Sequence, residues 1–322
     1  MAPTTPPRIA VVSGGVGAAR FLRGLLDVVP ADGVAAVVNT GDDTVLHGLT
    51  ISPDLDTITY TLAGAIDPER GWGLGGETWQ AMEALARYTE VRPEGSAAAT
   101  TWFNLGDRDL ATHLYRTARL AEGATPTVVA DEIRRAWGVP IRLLPMTDGH
   151  QPTMLELATG GEISFQDYFV RLRHGVPVRA VRFASAGASP TEAVLDALRA
   201  AETVVIAPSN PIVSIGPIRH LPGLEDVLQQ RRERTVAVSP IVGGTALKGP
   251  ADHMLAELGH EPSVVGVARL YAPIAAALVI DPVDAELAAA VEAAGMRAVV
   301  HPSVMSTPEL AADLARATLP AP

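Results

Sequence analysis

The sequence predicts an α/β protein: a doubly wound, mostly parallel Rossmann-like sheet with a helical insert or cap. Three observations predict it. Short apolar runs recur near both ends of the chain, each followed by a helix-like amphipathic stretch. The first run opens onto a glycine-rich turn that feeds straight into such a stretch. Between the two ends, residues of about 57–180 interrupt the alternation and read as an insert.

The elements follow in order. Residues 1–7 carry three prolines and read as a disordered lead, leaving 8–322 as one domain. Arg8–Ser13 is a strand, Gly14-Gly15-Val16-Gly17 a turn, and ARFLRGLLDVV a helix. Val34–Thr40 is a second buried strand, which completes a βαβ unit and implies parallel pairing. Residues 54–90 read as helical, broken near Gly71–Gly76, and 107–122 and 126–137 as two more helices. Ile141–Phe169 holds strand-like pieces with turns at Asp148-Gly149 and Gly160-Gly161. A helix over 190–201 precedes the strand Thr203–Ala207 and the loop Pro208–Pro217. Thr235–Val242 repeats the strand pattern. Further strands are expected at Val264–Val267, Ala277–Ile280 and Arg297–His301, with a last helix at 307–318.

Composition narrows the function. With 322 residues and 48% hydrophobic content, the chain can bury a sizeable core. It has no cysteine, which excludes disulfides, thiolate metal sites and cysteine nucleophiles. A formal net charge of -11 makes it a poor nucleic-acid binder. An acidic protein that handles phosphates needs a divalent cation to offset repulsion, and Mg²⁺ is the expected one. No apolar stretch of about 18 residues suggests a membrane span, and the N-terminus lacks a signal-peptide pattern, so a cytoplasmic location is expected.

The glycine turn is the first candidate site. Glycines at 14, 15 and 17, with Ser13 before them, let a phosphate approach the backbone at a helix N-terminus. The plain alternative is a tight βα turn. A Walker A loop is excluded because no Gly-Lys-Ser/Thr follows. A dinucleotide site wants an acid at the end of the second strand, where Asn39-Thr40 stands instead.

Asp42 and Asp43 follow that second strand, and Asp54 and Asp56 come soon after. Both clusters fall at the carboxyl end of the sheet, where open α/β folds bind ligands, and paired carboxylates with substrate phosphates suit Mg²⁺. Asp54 or Asp56 could instead cap the helix that starts there, and Asp42-Asp43 could be a solvated turn. Asp107 likewise reads as a helix cap. Asn104 and Arg108 beside it do not, and Arg108 suits a phosphate or carboxylate clamp. The loop Ser209-Asn210-Pro211 to Ser214 lies at a strand's carboxyl end and can read a nucleobase edge. The eight histidines show no HExxH spacing, so zinc is not expected, and no Gly-x-Ser-x-Gly elbow exists.

Taken together, SGGVGAARFLRGL, NTGDDTVLHGLTISPDLDTITYTL, FNLGDRDLATH, APSNPIVSIGPI and VSPIVGG resemble the 2-phospho-lactate transferase family of coenzyme F-420 biosynthesis, in the family's order. The resemblance implies that a phosphoenolpyruvyl or phospholactyl group moves from a guanosine diphosphate-linked donor to the deazaflavin Fo, with GMP leaving and Mg²⁺ required. It implies Asp42 and Asp56 as catalytic, and Asp42, Asp43 and Asp56 at the metal. Ser13, Gly14, Gly15, Gly17, Ser209, Asn210, Pro211 and Ser214 would bind the guanosine nucleotide. Asp56, Asn104 and Arg108 would meet Fo or the donor. A homodimer is the family-level expectation. Two other classes compete: a non-catalytic nucleotide-sugar-binding regulator with the same glycine loop, and an NAD-dependent dehydrogenase.

Overall fold

The computed structural model describes residues 8–185 and 187–320; the lead over residues 1–7 lies outside them. The first half of the chain forms β1 (Ile9–Ser13), α1 (Gly15–Leu26) and β2 (Val34–Val38), then the hairpin β3 (Thr44–Leu46) and β4 (Leu49–Ile51). Four helices follow: α2 (Pro53–Leu62), α3 (Gln80–Ala86), α4 (Asp109–Ala121) and α5 (Pro126–Ala136). Next come β5 (Arg142–Pro145), β6 (Thr153–Leu157), β7 (Glu162–Ser164), β8 (Val178–Phe183) and α6 (Glu192–Ala200). The second half runs β9 (Thr203–Ile206), α7 (Ile215–His220), α8 (Leu224–Gln230) and β10 (Thr235–Val238). A small hairpin of β11 (Ile241–Val242) and β12 (Thr245–Ala246) precedes α9 (Ala251–Glu257) and α10 (Val264–Tyr271). The chain closes with β13 (Ala277–Ile280), α11 (Ala288–Ala293), β14 (Arg297–Val300) and α12 (Pro308–Ala317).

Seven parallel strands form the central sheet in the order β14-β13-β10-β9-β1-β2-β5. Strands β1, β2 and β9 are buried throughout, because helices cover both faces. Side chains alternate between two cores. Ala10, Val12, Val204 and Ile206 pack with residues of α6 to α10, whereas Ile9, Val11 and Val205 pack with α1, α2, α5 and α12. The chain builds outward from β1 through β2 to β5, then returns to the other flank of β1 as β9. The strand order therefore reverses between β1 and β9. At such a switch point the loops leaving the carboxyl ends diverge and open a crevice.

Three expectations are corrected. Val264–Val267 is the first turn of α10. Ser263 caps it, its Oγ accepting from Val265 and Gly266 N–H groups at 3.1 and 3.2 Å. The run is buried all round, so its apolar pattern cannot separate helix from strand. The stretch expected as helical over 54–90, with a break near Gly71–Gly76, is two helices, α2 and α3, and the break is longer than expected, over 63–79. The loop between them turns at Gly64 (φ 68°) and is pinned by an antiparallel bridge between Ile66 and Leu74. Within the stretch expected as an insert, β5 belongs to the central sheet, paired with β2. Two excursions result: helices before β5, and a three-stranded antiparallel sheet β7-β6-β8 after it.

Candidate functional site

The glycine loop sits at the switch point, and the loop after β9 is clamped to it. Ser209 Oγ donates to the Gly14 carbonyl at 2.8 Å and accepts from the Gly14 N–H at 3.2 Å. A Cβ on Gly14 would lie 2.7 Å from Ser214 Cβ and 3.0 Å from Asp54 Oδ2. Gly15 adopts φ 71°, which favours glycine. A Cβ on Gly17 would lie 2.1 Å from the Pro208 carbonyl oxygen. Two of the three glycines are thus needed for close approach of neighbouring chain. Asn210 is spent locally, its Oδ1 accepting from Ile212 N–H at 2.9 Å. Ser13 Oγ donates to the Val11 carbonyl at 3.1 Å. The Asp54 carboxylate already accepts from the Gly15 N–H, so what remains for a ligand is the rest of the first turn of α1 and the Ser214 hydroxyl, beside Gly14. Gly17→Ala is expected to cost about 1–3 kcal/mol by overpacking. A thermal midpoint unchanged from wild type would refute that reading.

The carboxylates converge on the same edge. Asn39 organises them: its Oδ1 accepts from Gly41 N–H at 2.8 Å, and its Nδ2 donates to Asp54 Oδ2 at 3.0 Å. Ser52 Oγ donates to Asp43 Oδ2 at 2.7 Å. The antiparallel sheet braces the turn from behind. Thr153 N–H donates to the Gly41 carbonyl at 2.8 Å and Gln166 Nε2 to the Asp42 carbonyl at 3.1 Å. Asp42 Oδ1 and Asp43 Oδ1 are buried with no hydrogen-bond partner among the described residues. Burial raises the Asp42 carboxyl well above its usual range, and Asp54 and Asp43 add to it. Burial pushes Asp43 up to about 8 and Asp54 up to about 6. Neither Asp54 nor Asp56 caps α2 with its side chain; Ser52 is the N-cap residue and Pro53 opens the helix. That corrects the capping expectation.

Raised carboxyls carry a sign. Folded Asp43 keeps its proton to about pH 8, whereas an unfolded aspartate loses it near pH 4. Between those values the folded state binds more protons, so this group's contribution to stability declines as pH rises. A bound cation reverses the effect by favouring the ionised form. The expected result is a thermal midpoint raised more by Mg²⁺ at pH 8.5 than at pH 5.5. An equal Mg²⁺ increment at both values would contradict it.

Asp56 lies deeper. Arg116 Nη1 donates to its Oδ2 at 3.1 Å, and Nη2 donates to its Oδ1. Both residues are 5% exposed, so this is a buried ion pair. His113 Nδ1 lies 3.2 Å from Arg116 Nη1 and must accept there, because a guanidinium only donates. His113 Nε2 lies 3.3 Å from Asp109 Oδ2, within ion-pair distance but without a hydrogen-bond partner among the described residues. Tyr60 donates its hydroxyl to Asp109 Oδ1 at 2.5 Å. A polar cluster of Asp56, Arg116, His113, Asp109 and Tyr60 thereby joins α2 to α4.

A cavity of about 210 Å³ opens against this cluster. Leu55, Val129, Ile133 and Leu143 give it an apolar wall, while Asp43, Arg116 and Thr50 face it. Asp43 is the carboxylate of the acidic edge that also reaches the cavity.

Asn104 and Arg108 are exposed and do not line the cavity. Arg108 Nη1 donates to the Gly75 carbonyl at 2.5 Å. Asp107 caps a helix, but α3 and not its own: it accepts from Gln80 and Ala81 N–H groups at 3.0 Å. Glu77 returns the favour at α4, accepting from Arg108 and Asp109 N–H groups at 2.8 and 2.9 Å. The sequence reading passed over Asn39, His113 and Arg116. The spacing of Asp109, His113 and Arg116 was the available signal, since positions i, i+4 and i+7 share one helix face.

The family model described as 2-phospho-L-lactate transferase CofD matches residues 9–313. A phosphoenolpyruvate transferase of Streptomyces griseus is 41% identical over 317 residues, covering 97% of each chain. Its Nocardia farcinica counterpart is 40% identical, covering 99% of this chain and 96% of that one. A Mycolicibacterium smegmatis phosphoenolpyruvate transferase is also 40% identical, covering 97% and 98%. Among solved structures, a Bacillus halodurans protein superposes with a TM-score of 0.62 at 17% identity, covering 98% of this chain and 99% of that one, a likeness of fold alone. With its sheet, its glycine loop and its acidic edge in place, the chain belongs to the 2-phospho-L-lactate transferase family, the transferases of coenzyme F-420 biosynthesis.

Proposed function

We propose that this chain transfers a phosphoenolpyruvyl group, with a phospholactyl group as the alternative, from a guanosine diphosphate-linked donor to the deazaflavin Fo. The observation that carries the reading is the pair of unpartnered buried oxygens on Asp42 and Asp43, set beside the glycine loop and the cavity. These oxygens fit a hard divalent cation. Among the described residues no group of three or more acidic or histidine side chains gathers as a metal site, and Mg²⁺ takes one or two carboxylates plus substrate phosphates. Asp42 Oδ1 would hold it, with Asp43 beside it; when bound it would offset the donor's negative charge.

The protein's own groups supply the rest. Gly14 and Gly15 spend their N–H groups on Ser209 and Asp54, so the later N–H groups in the first turn of α1 would meet the donor phosphates. The cavity's apolar wall suits the aromatic rings of Fo, and with the rings there its ribityl hydroxyl would lie near Asp43. The hydroxyl oxygen forms a bond to phosphorus as the bond from that phosphorus to the GMP oxygen breaks. With the cation held by Asp42, Asp43 Oδ1 is left to accept the hydroxyl proton. Asp56 takes a positioning role here: both its oxygens hold Arg116, which faces the cavity. Catalysis by positioning and charge neutralisation is what phosphoryl-type transfer requires.

The test is mass spectrometry of the product from Fo with each donor, together with GMP release. The expected outcome is one adduct carrying the three-carbon acid, formed with Mg²⁺ and not with a chelator. Absence of GMP release with both donors, alongside tight binding of a UDP-sugar, would replace this reading with the regulator. Sedimentation tests the expected homodimer.

A further inference from the structure

Beyond the acidic edge, two cations near α1 gather without a carboxylate partner among the described residues. Arg20 lies on α1 four residues after Val16, so both occupy one helix face. Lys248 comes from the segment between β12 and α9. The two meet above Gly71. The point where a Gly71 Cβ would stand is 2.6 Å from Lys248 Nζ, 3.7 Å from Val16 Cγ1 and 3.9 Å from Arg20 Nη2. Gly71 has φ 74°, so both backbone and space favour glycine there. Lys248 Nζ donates to the Arg70 carbonyl at 3.2 Å, which fixes the ammonium in place.

Neither Arg20 nor Lys248 has an acidic partner among the described residues. Their neighbour Arg70 differs: it pairs with Asp67 at 3.0 Å and lies over Trp72 and Trp79. Burial and the Arg20 charge both lower the Lys248 ammonium. Holding two like charges together with no counter-charge costs free energy unless an anion joins them. The glycine loop, with its free helix N–H groups, is the adjacent surface.

We infer that Arg20 and Lys248 form a phosphate-binding clamp beside the start of α1 that takes the diphosphate of the donor nucleotide. The donor assignment rests on the proposed function; the anion site itself does not. A diphosphate at the loop would be offset by these side-chain cations and by the divalent cation that the aspartates would hold.

Calorimetric titration with Mg²⁺ tests the clamp, using GDP, guanosine and inorganic pyrophosphate as probes. Arg20→Ala and Lys248→Ala are expected to weaken GDP and pyrophosphate about 10- to 100-fold each, with guanosine within about twofold. Lys248→Arg should retain binding, and log Kd should depend less steeply on salt in the alanine variants. Both side chains are exposed, so folding is preserved. Wild-type affinity for GDP and pyrophosphate in both alanine variants overturns the clamp while leaving the transferase reading intact. Pyrophosphate binding that depends on both cations, in a chain that ignores guanosine nucleotides, upholds the clamp and overturns that reading.

Discussion

Arg116→Ala is expected to destabilise the protein by about 3–5 kcal/mol, the penalty for stranding one partner of a buried ion pair. Asp56 would be left at 5% exposure with no donor in reach of both oxygens. His113 would lose the donor to its Nδ1. A midpoint drop on the order of 10 °C follows for a chain of this length. The companion experiment separates stability from function. Replacing both partners by apolar residues, as in Arg116→Met with Asp56→Leu, should restore much of the lost stability, because a buried pair is often no better than a packed apolar one. Transfer should remain abolished, since the cavity would lose the cation that faces it. A destabilisation below about 1 kcal/mol in Arg116→Ala, the range of an exposed pair, would refute the burial argument.

Asp43→Asn is expected to lower transfer by about 10²–10⁴-fold, the range for loss of a positioned proton acceptor. Its effect on folding should have the opposite sign. Burial makes the ionised Asp43 carboxyl unfavourable, so a neutral amide that keeps the Ser52 hydrogen bond should raise the apo midpoint above pH 8. Below pH 4 the two proteins should be alike. Opposed signs mark a group retained for chemistry at the expense of stability. A variant that turns over normally, or that melts earlier than wild type at pH 9, would remove Asp43 from the proposed role.

Much of the fold was legible because its strands are short and buried on both faces. Ile9–Ser13, Val34–Val38, Thr203–Ile206 and Thr235–Val238 stand out as apolar runs bounded by turns. The same logic misled at Val264, where a helix buried all round shows the same run. The candidate site was legible where it is local. Ser13 to Gly17 and Asp42-Asp43 each follow a strand within a few residues, and a strand's carboxyl end is where such folds bind ligands. Nothing local reveals that Ser209 clamps Gly14, that Asp107 caps α3 across the chain, or that Arg116 meets Asp56.

By itself, then, the sequence determined the alternation of strands and helices, the glycine loop and the acidic edge, because periodicity and turn chemistry act over a few residues. Tertiary structure decided what each polar side chain does. It spent Asn210 and Asp107 on backbone, buried Asp56 against Arg116, left oxygens of Asp42 and Asp43 without partners, and brought Lys248 to Arg20. Those outcomes depend on which residues meet once water is excluded. Partners distant in the chain come together only through packing, and burial then sets the cost of each charge.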